Sequence, residues 1–217
     1  MNVITLEKKI LKKNDEIASE IRKLLKANNI FSINILSSPG SGKTSLLEKT
    51  IDELHDHINI AVIEGDLQTD LDAQRIAKHN VPAIQIVTHG TCHLEANLVK
   101  DCIDQLELEK LNLLIIENVG NLICPSSYDL GEDLKVVGLS VTEGDDKPLK
   151  YPAIFRKASV MIINKIDLLP YVPFSIEKVK ENALSINPNL KIFETSCTTG
   201  TGIKEWCDWL KTKCKPA

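Results

Sequence analysis

Along residues 1–30, Leu6, Ile10, Ile17, Ile21, Leu24 and Leu25 recur at helical spacing with Lys, Glu and Asp between them. This predicts an amphipathic helix whose apolar stripe is packed on the main body, with docking of a partner as its other use. Beyond residue 30 the period changes. Short β-branched runs stand at 31–36, 58–63, 83–87, 111–116, 136–141, 160–164 and 190–193. Amphipathic stretches intervene near 43–55, 69–80, 93–107, 150–158, 175–186 and 201–213. Strands alternating with helices predict an α/β fold, a mostly parallel sheet covered by helices on both faces. In such folds chemistry gathers at the carboxyl ends of the strands. Neither a repeat nor an interior linker interrupts the pattern. One domain over 31–217 with an N-terminal helix over 1–30 is expected.

Composition narrows the setting. The chain has 217 residues, 43% hydrophobic and 26% charged, ordinary for a globular protein with a proper core. Twenty-six basic against 30 acidic residues give a net charge of −4. That argues against nonspecific nucleic-acid binding, which needs clustered positive charge. No apolar run approaches the ~20 residues that span a bilayer, and the opening MNVITLEKKILKKNDE is too charged for a signal-peptide core. A soluble, cytoplasmic protein is expected. In a reducing compartment its six cysteines read as metal ligands or buried apolar side chains rather than disulfides.

Directly after the first strand comes Ser37-Ser38-Pro39-Gly40-Ser41-Gly42-Lys43-Thr44, followed by a helical run from Ser45. It matches the phosphate-binding P-loop pattern, with Ser37 at the first glycine position. Gly40 and Gly42 let backbone N–H groups turn inward around anionic oxygens, and the helix N-terminus adds a favourable dipole. Lys43 is suited to neutralising β- and γ-phosphates, and the Thr44 hydroxyl to ligating Mg²⁺. Two further strand ends fit the same site. Asp66, in Glu64-Gly65-Asp66, is a hard oxygen ligand for Mg²⁺. Glu117, in Glu117-Asn118-Val119-Gly120, is placed to orient water or the metal, with the Gly120 N–H near the γ-phosphate.

The strand VMII runs into Asn164-Lys165-Ile166-Asp167, the N-K-x-D pattern that selects guanine. Guanine offers N1–H and an exocyclic amine on one edge, and the single Asp167 carboxylate accepts both. Adenine lacks this pair, so ATP would forfeit charge-assisted bonds worth ~1.5–3 kcal/mol each. That amounts to about a hundredfold preference for GTP. The Lys165 stem lies along the base plane in this reading, and Asn164 braces the neighbouring loops. Downstream, the backbone of Ser196 and Cys197 in Thr195-Ser196-Cys197-Thr198 is suited to contacting guanine O6.

Between these motifs lies Thr88-His89-Gly90-Thr91-Cys92-His93-Leu94, and Cys124 follows Gly120 by four residues. Thiolate and imidazole suit zinc, nickel or copper rather than Mg²⁺. Spacing alone leaves two readings open, a metal site or a buried cysteine beside a helix-capping histidine. Three candidate ligands fall one short of a closed tetrahedral set. Either a position stays exchangeable or a second subunit completes it.

Taken together, these segments, with Asn121-Leu122-Ile123-Cys124-Pro125 and Glu143-Gly144-Asp145-Asp146-Lys147-Pro148, resemble the nickel-incorporation GTPases of nickel–iron hydrogenase maturation, the HypB family. The resemblance covers residues 30 to about 210 and is most specific at Cys-His-Leu and Asn-Leu-Ile-Cys-Pro. It implies a P-loop GTPase that hydrolyses GTP slowly and dimerises when GTP-bound. Cys92, His93 and Cys124 would then hold nickel, or zinc, at the subunit interface. It also implies delivery to the hydrogenase large subunit with a small zinc-containing nickel metallochaperone that docks near the N-terminal region, and Lys147 reaching nucleotide across the dimer. Residues 1–30 contain neither Cys nor His, so the N-terminal nickel sites of some members are not expected. Alternative readings are a nickel GTPase serving urease, a GTP-regulated interaction protein without metal cargo, and a small-molecule kinase. The last lacks an acceptor site and conflicts with N-K-x-D.

Overall fold

The computed structural model describes residues 6–66 and 71–214. Helix α1, Leu6–Ala27, leads into seven strands: β1 (Phe31–Ser37), β2 (Ile60–Asp66), β3 (Ala83–Val87), β4 (Leu113–Glu117), β5 (Leu134–Ser140), β6 (Val160–Asn164) and β7 (Lys191–Glu194). They form one sheet in the order β3-β2-β4-β1-β5-β6-β7, every neighbouring pair parallel. Burial on both faces explains the near-continuous apolar strands such as LLIIE in β4, all of it buried. The connections carry α2 (Lys43–Leu54), α3 (Leu71–Ala77), α4 (Ala96–Ile103), α5 (Lys147–Lys150), α6 (Pro152–Lys157), α7 (Ile176–Ile186) and α8 (Ile203–Lys211). Chain order reverses across β1, whose neighbours are β4 and β5. That is where a ligand crevice opens in such sheets.

One face is covered by α2 and α8. There the buried Trp206 stands edge-on to Phe193 and donates its indole N–H to Thr50 Oγ1 at 3.0 Å. On the other face α1 and α4 share a core with Ile63, Leu114 and Ile116, while α6 and α7 cover the β5–β7 side. The later part of α1 packs on the body, with Ala18, Ile21 and Leu25 buried and Ile17 and Leu24 partly so, while Ile10 stays exposed. Gly131 adopts φ +85°, and a Cβ there would lie 2.6 Å from the Ile21 side chain, so only glycine lets the chain pass this close to the helix.

Two expected helices differ. The stretch near 93–107 becomes helical only from Ala96 to Ile103, leaving Cys92 and His93 in the preceding turn. The stretch near 150–158 divides into α5 and α6 at Tyr151, because Pro152 opens a new helix. Residues 1–5 of the expected helix over 1–30 and residues 69–70 of the one over 69–80 lie outside the described residues.

Candidate nucleotide and metal sites

A cleft of about 460 Å³ opens at the carboxyl ends of β1, β2 and β4. Gly40, Gly42, Lys43, Thr44 and Ser45 line one side, with Glu64, Asp66, Glu117 and Gly120 opposite. Lys43 begins α2, and Gly42 caps it at φ 94°. A Cβ on Gly42 would lie 2.6 Å from Asn164 Nδ2, so both the backbone conformation and the approach of Asn164 require glycine. The first position of the loop does not: the buried Ser37 hydroxyl lies 2.5 Å from Ser41 Oγ, closing the loop through side chains.

The guanine-type motif is tied to this loop. Asn164 Nδ2 donates to the Ser41 carbonyl at 3.0 Å and Lys165 Nζ to the Gly40 carbonyl at 2.6 Å. Asp167 Oδ1 accepts the Ser196 hydroxyl at 2.5 Å, and Cys197 Sγ is 3.6 Å from Asn164 Oδ1. Phosphate-side and base-side elements are therefore one connected unit. Lys147 donates to Ser38 Oγ at 3.0 Å and pairs with Glu143 at 3.0 Å within the same chain.

Glu64 and Glu117 face each other in register on β2 and β4, both buried. Thr44 Oγ1 donates to Glu117 Oε1 at 3.0 Å, whereas Glu117 Oε2 and Glu64 Oε1 are buried without a hydrogen-bond partner. Burial first, and then the neighbouring Glu117 carboxylate, push the Glu64 carboxyl far above the usual carboxylate range. Burial raises Glu117 as well, against the opposing pull of Glu64, Lys43 and Thr44. Two orphaned carboxylate oxygens beside the Thr44 hydroxyl form a hard-oxygen set, and a divalent cation such as Mg²⁺ fits it.

Cys92, His93 and Cys124 converge, their candidate ligand atoms all within 4.8 Å of one another and all partly exposed. The turn before α4 supplies Cys92 and His93. Cys124 opens a 3-10 turn, Cys124–Ser127, seven residues after the end of β4. Cys92 Sγ is 3.8 Å from His93 Nδ1, and the imidazole stacks on Tyr128 at 3.9 Å between centroids. Burial lowers the His93 pKa, so the ring is a neutral donor at pH 7. Hydrogen bonding to Cys124 raises Cys92, as two adjacent thiols resist joint ionisation. Burial pushes Cys102, Cys207 and Cys214 up to about 11, 12 and 11, consistent with their reading as packing residues. His93 caps no helix; Glu95 is the residue before α4.

Comparison with known proteins decides the family. The model of the CobW/HypB/UreG nucleotide-binding domain matches residues 31–194. A hydrogenase maturation factor HypB from Azotobacter chroococcum mcd 1 is 50% identical over 209 residues, covering 96% of this chain and 68% of its own. The chain belongs to the HypB family. A hydrogenase/urease maturation factor HypB from Helicobacter pylori strain J99 is 43% identical, covering 97% of this chain and 88% of its own. The crystal structure of HypB from Helicobacter pylori in complex with nickel superposes with a TM-score of 0.88 at 43% identity, covering 93% of this chain and 94% of that one. The seven-stranded parallel sheet with its N-terminal helix is the P-loop NTPase fold of the HypB structures, and 31–194 is a nucleotide-binding domain.

Sequence reasoning passed over several residues of these sites. Glu64 was visible as a strand-end carboxylate, but its pairing with Glu117 depends on β2 lying beside β4. Asn118 accepts from the Leu94 N–H at 3.3 Å and so joins the β4 loop to the Cys92–His93 turn. Arg75 lines the cleft while held by Glu48, Asp72 and Ser45. Tyr128 carried no sequence signal for its place against His93.

Proposed function

We propose that this protein is a GTPase that takes up nickel, or zinc in its place, and releases it into a nickel–iron hydrogenase precursor under control of the nucleotide. The single observation that carries the reading is the proximity of two chemistries on one segment. Glu117 and Gly120 line the phosphate cleft, and Cys124, four residues past Gly120, stands in the soft-ligand triad. A loop that responds to the γ-phosphate thereby moves one of three metal ligands, with a typical coupling of ~1–3 kcal/mol.

In this reading residues 31–217 are the GTP-hydrolysing unit and 1–30 an attached helix. Gly40, Ser41, Gly42, Lys43, Thr44 and Ser45 cradle the phosphates. Lys43 neutralises charge that grows on the β–γ bridging oxygen as water attacks the γ-phosphorus and the anhydride bond breaks. Thr44 and Asp66 hold Mg²⁺, which would supply further neutralisation of phosphate charge. Glu117 orients the attacking water. Asn164, Lys165 and Asp167 select guanine, and the Ser196–Cys197 backbone faces O6. Cys92, His93 and Cys124 leave a fourth metal position for a second subunit in a GTP-dependent homodimer. A small zinc-containing metallochaperone and the hydrogenase large subunit are the proposed partners, in the cytoplasm. No helix among the described residues is long and apolar enough to cross a membrane. The name of the Helicobacter pylori relative keeps a second destination, urease, as the alternative.

The test is a titration of metal-stripped protein with Ni²⁺, once with GDP and once with a non-hydrolysable GTP analogue, following affinity and mass together. A several-fold difference in affinity, or a change in metal per dimer, is expected. Equal affinity and stoichiometry in both states would refute nucleotide-gated delivery.

A further inference from the structure

The two metal-ligand segments lie 32 residues apart in sequence, between Cys92 and Cys124, and each must be held for the triad to keep its geometry. What holds them is a side chain from neither segment. Asn14 of α1 is 6% exposed, unusual for an amide on an amphipathic helix. Its Oδ1 accepts the Ala96 N–H at 2.8 Å, at the start of α4 and three residues after His93. Its Nδ2 donates to the Asp129 carbonyl at 2.8 Å, five residues after Cys124. One rigid carboxamide thus spans both segments.

We infer that Asn14 is a positioning residue for the Cys92–His93–Cys124 site, fixing the Cys124 segment against the Cys92–His93 turn. The inference rests on the metal reading of that site. Two neighbouring contacts support the same arrangement. The Arg22 guanidinium binds both oxygens of the Asp129 side chain at 2.6 and 2.8 Å, holding the segment from the next turns of α1. Tyr128, adjacent to Asp129, is the ring on which His93 stacks. A shift of the segment at Asp129 therefore moves Tyr128 against His93 as well as Cys124. Outer residues that orient ligands in this way typically contribute 10–100-fold to metal affinity. Linkage requires the converse: a bound metal that favours this arrangement holds α1 more firmly on the body.

Asn14→Asp tests one arm of the bridge. A carboxylate at this position still accepts from the Ala96 N–H but turns an acceptor toward the Asp129 carbonyl. Ni²⁺ binding by this variant should weaken by about 10–100-fold, with GTP-analogue affinity unchanged. Leu25→Ala, a cavity in the α1 core eleven residues along the chain from Asn14, is the control for destabilisation alone and should leave Ni²⁺ affinity within about twofold of wild type. A second readout needs no variant. In the wild-type protein, Ni²⁺ should slow hydrogen exchange at the Ala96 amide and in the α1 turn around Asn14. If wild type fails to bind Ni²⁺, the metal reading falls and this inference with it. If wild type binds and Asn14→Asp binds equally well, or Leu25→Ala weakens binding as much, the inference alone is overturned. Exchange at Ala96 and in α1 that ignores bound Ni²⁺ overturns it too.

Discussion

Glu64 and Asp167 are both carboxylates, yet their surroundings assign them opposite electrostatic tasks. Asp167 accepts the Ser196 hydroxyl in the base-side loop, where the proposed guanine contact needs an acceptor. Replacing it by Asn turns one acceptor oxygen into a donor that opposes guanine N1–H. Asp167→Asn should lower GTP affinity at least tenfold, given charge-assisted bonds of ~1.5–3 kcal/mol, and should shrink discrimination against xanthosine triphosphate. Competition binding with the two nucleotides decides it; unchanged discrimination would remove Asp167 from the base site. Glu64 is instead held protonated by burial and by Glu117. Its folded pKa lies above the unfolded value of about 4.3, so the folded protein keeps a proton that the unfolded chain releases. The resulting stability is full below about pH 4.3 and is lost as pH rises toward the folded pKa. Glu64→Gln should therefore stabilise the nucleotide-free protein at pH 8 more than at pH 5, as measured by urea denaturation. An equal difference at both pH values would show that Glu64 carries no displaced proton.

At the level of elements, the strands were legible because parallel strands buried on both faces must be apolar almost throughout, as β4 and β6 are. The P-loop and N-K-x-D were legible because their chemistry is contiguous in sequence. Local breaks were harder to see. The turn that frees Cys92 and His93 from α4 depends on where α4 meets Asn14, 82 residues away from Ala96. The docking of α1 was legible only as an apolar stripe, since its polar anchors pair across 82 to 115 residues. One of them has a defined pH window. Burial pushes the Asp129 carboxyl up, but Arg22 and the Gly131 N–H pull it down further, for a net lowering. A lowered folded pKa gives stability that is present above the unfolded value of about 3.9 and lost as pH falls through the folded one. Both side chains are somewhat more than a third exposed, so solvent screening holds the contribution to the ~0–1 kcal/mol of a surface pair. Arg22→Ala should cost up to that amount at pH 7 and progressively less as pH falls below about 3.9, by denaturation or by exchange of the α1 amides. A loss that does not shrink as pH falls would mean Arg22 acts through packing of its stem instead.

Across the whole molecule, a buried polar chain with Asn118 at its centre runs from the phosphate cleft to Leu94, beside His93, and to Leu130, which shares a core with α1. Asn118 is 1% exposed and lines the cleft. Its Oδ1 accepts from Leu94 N–H at 3.3 Å and Val119 N–H at 3.0 Å, and its Nδ2 donates to Asn34 Oδ1 at 3.3 Å. Asn34 in turn reaches Glu132 at 3.3 Å, and Glu132 accepts from Leu130 N–H at 2.7 Å beneath α1. Under the proposed function, a displacement of the β4 loop by nucleotide would reach Leu94, next to His93, without passing through Cys124. Asn118→Ala cuts that route while leaving Lys43, Thr44 and all three soft ligands in place. It leaves buried partners unsatisfied, at a cost of ~1–3 kcal/mol in stability. Its expected signature is thermodynamic. In the wild type the factor by which a GTP analogue changes Ni²⁺ affinity must equal the factor by which Ni²⁺ changes affinity for the analogue. In Asn118→Ala both factors should fall together, down to the share that the Gly120–Cys124 segment carries, with binding of each ligand alone retained. Paired titrations in both orders measure this directly. Factors that survive the substitution would place the coupling entirely in the Gly120–Cys124 segment.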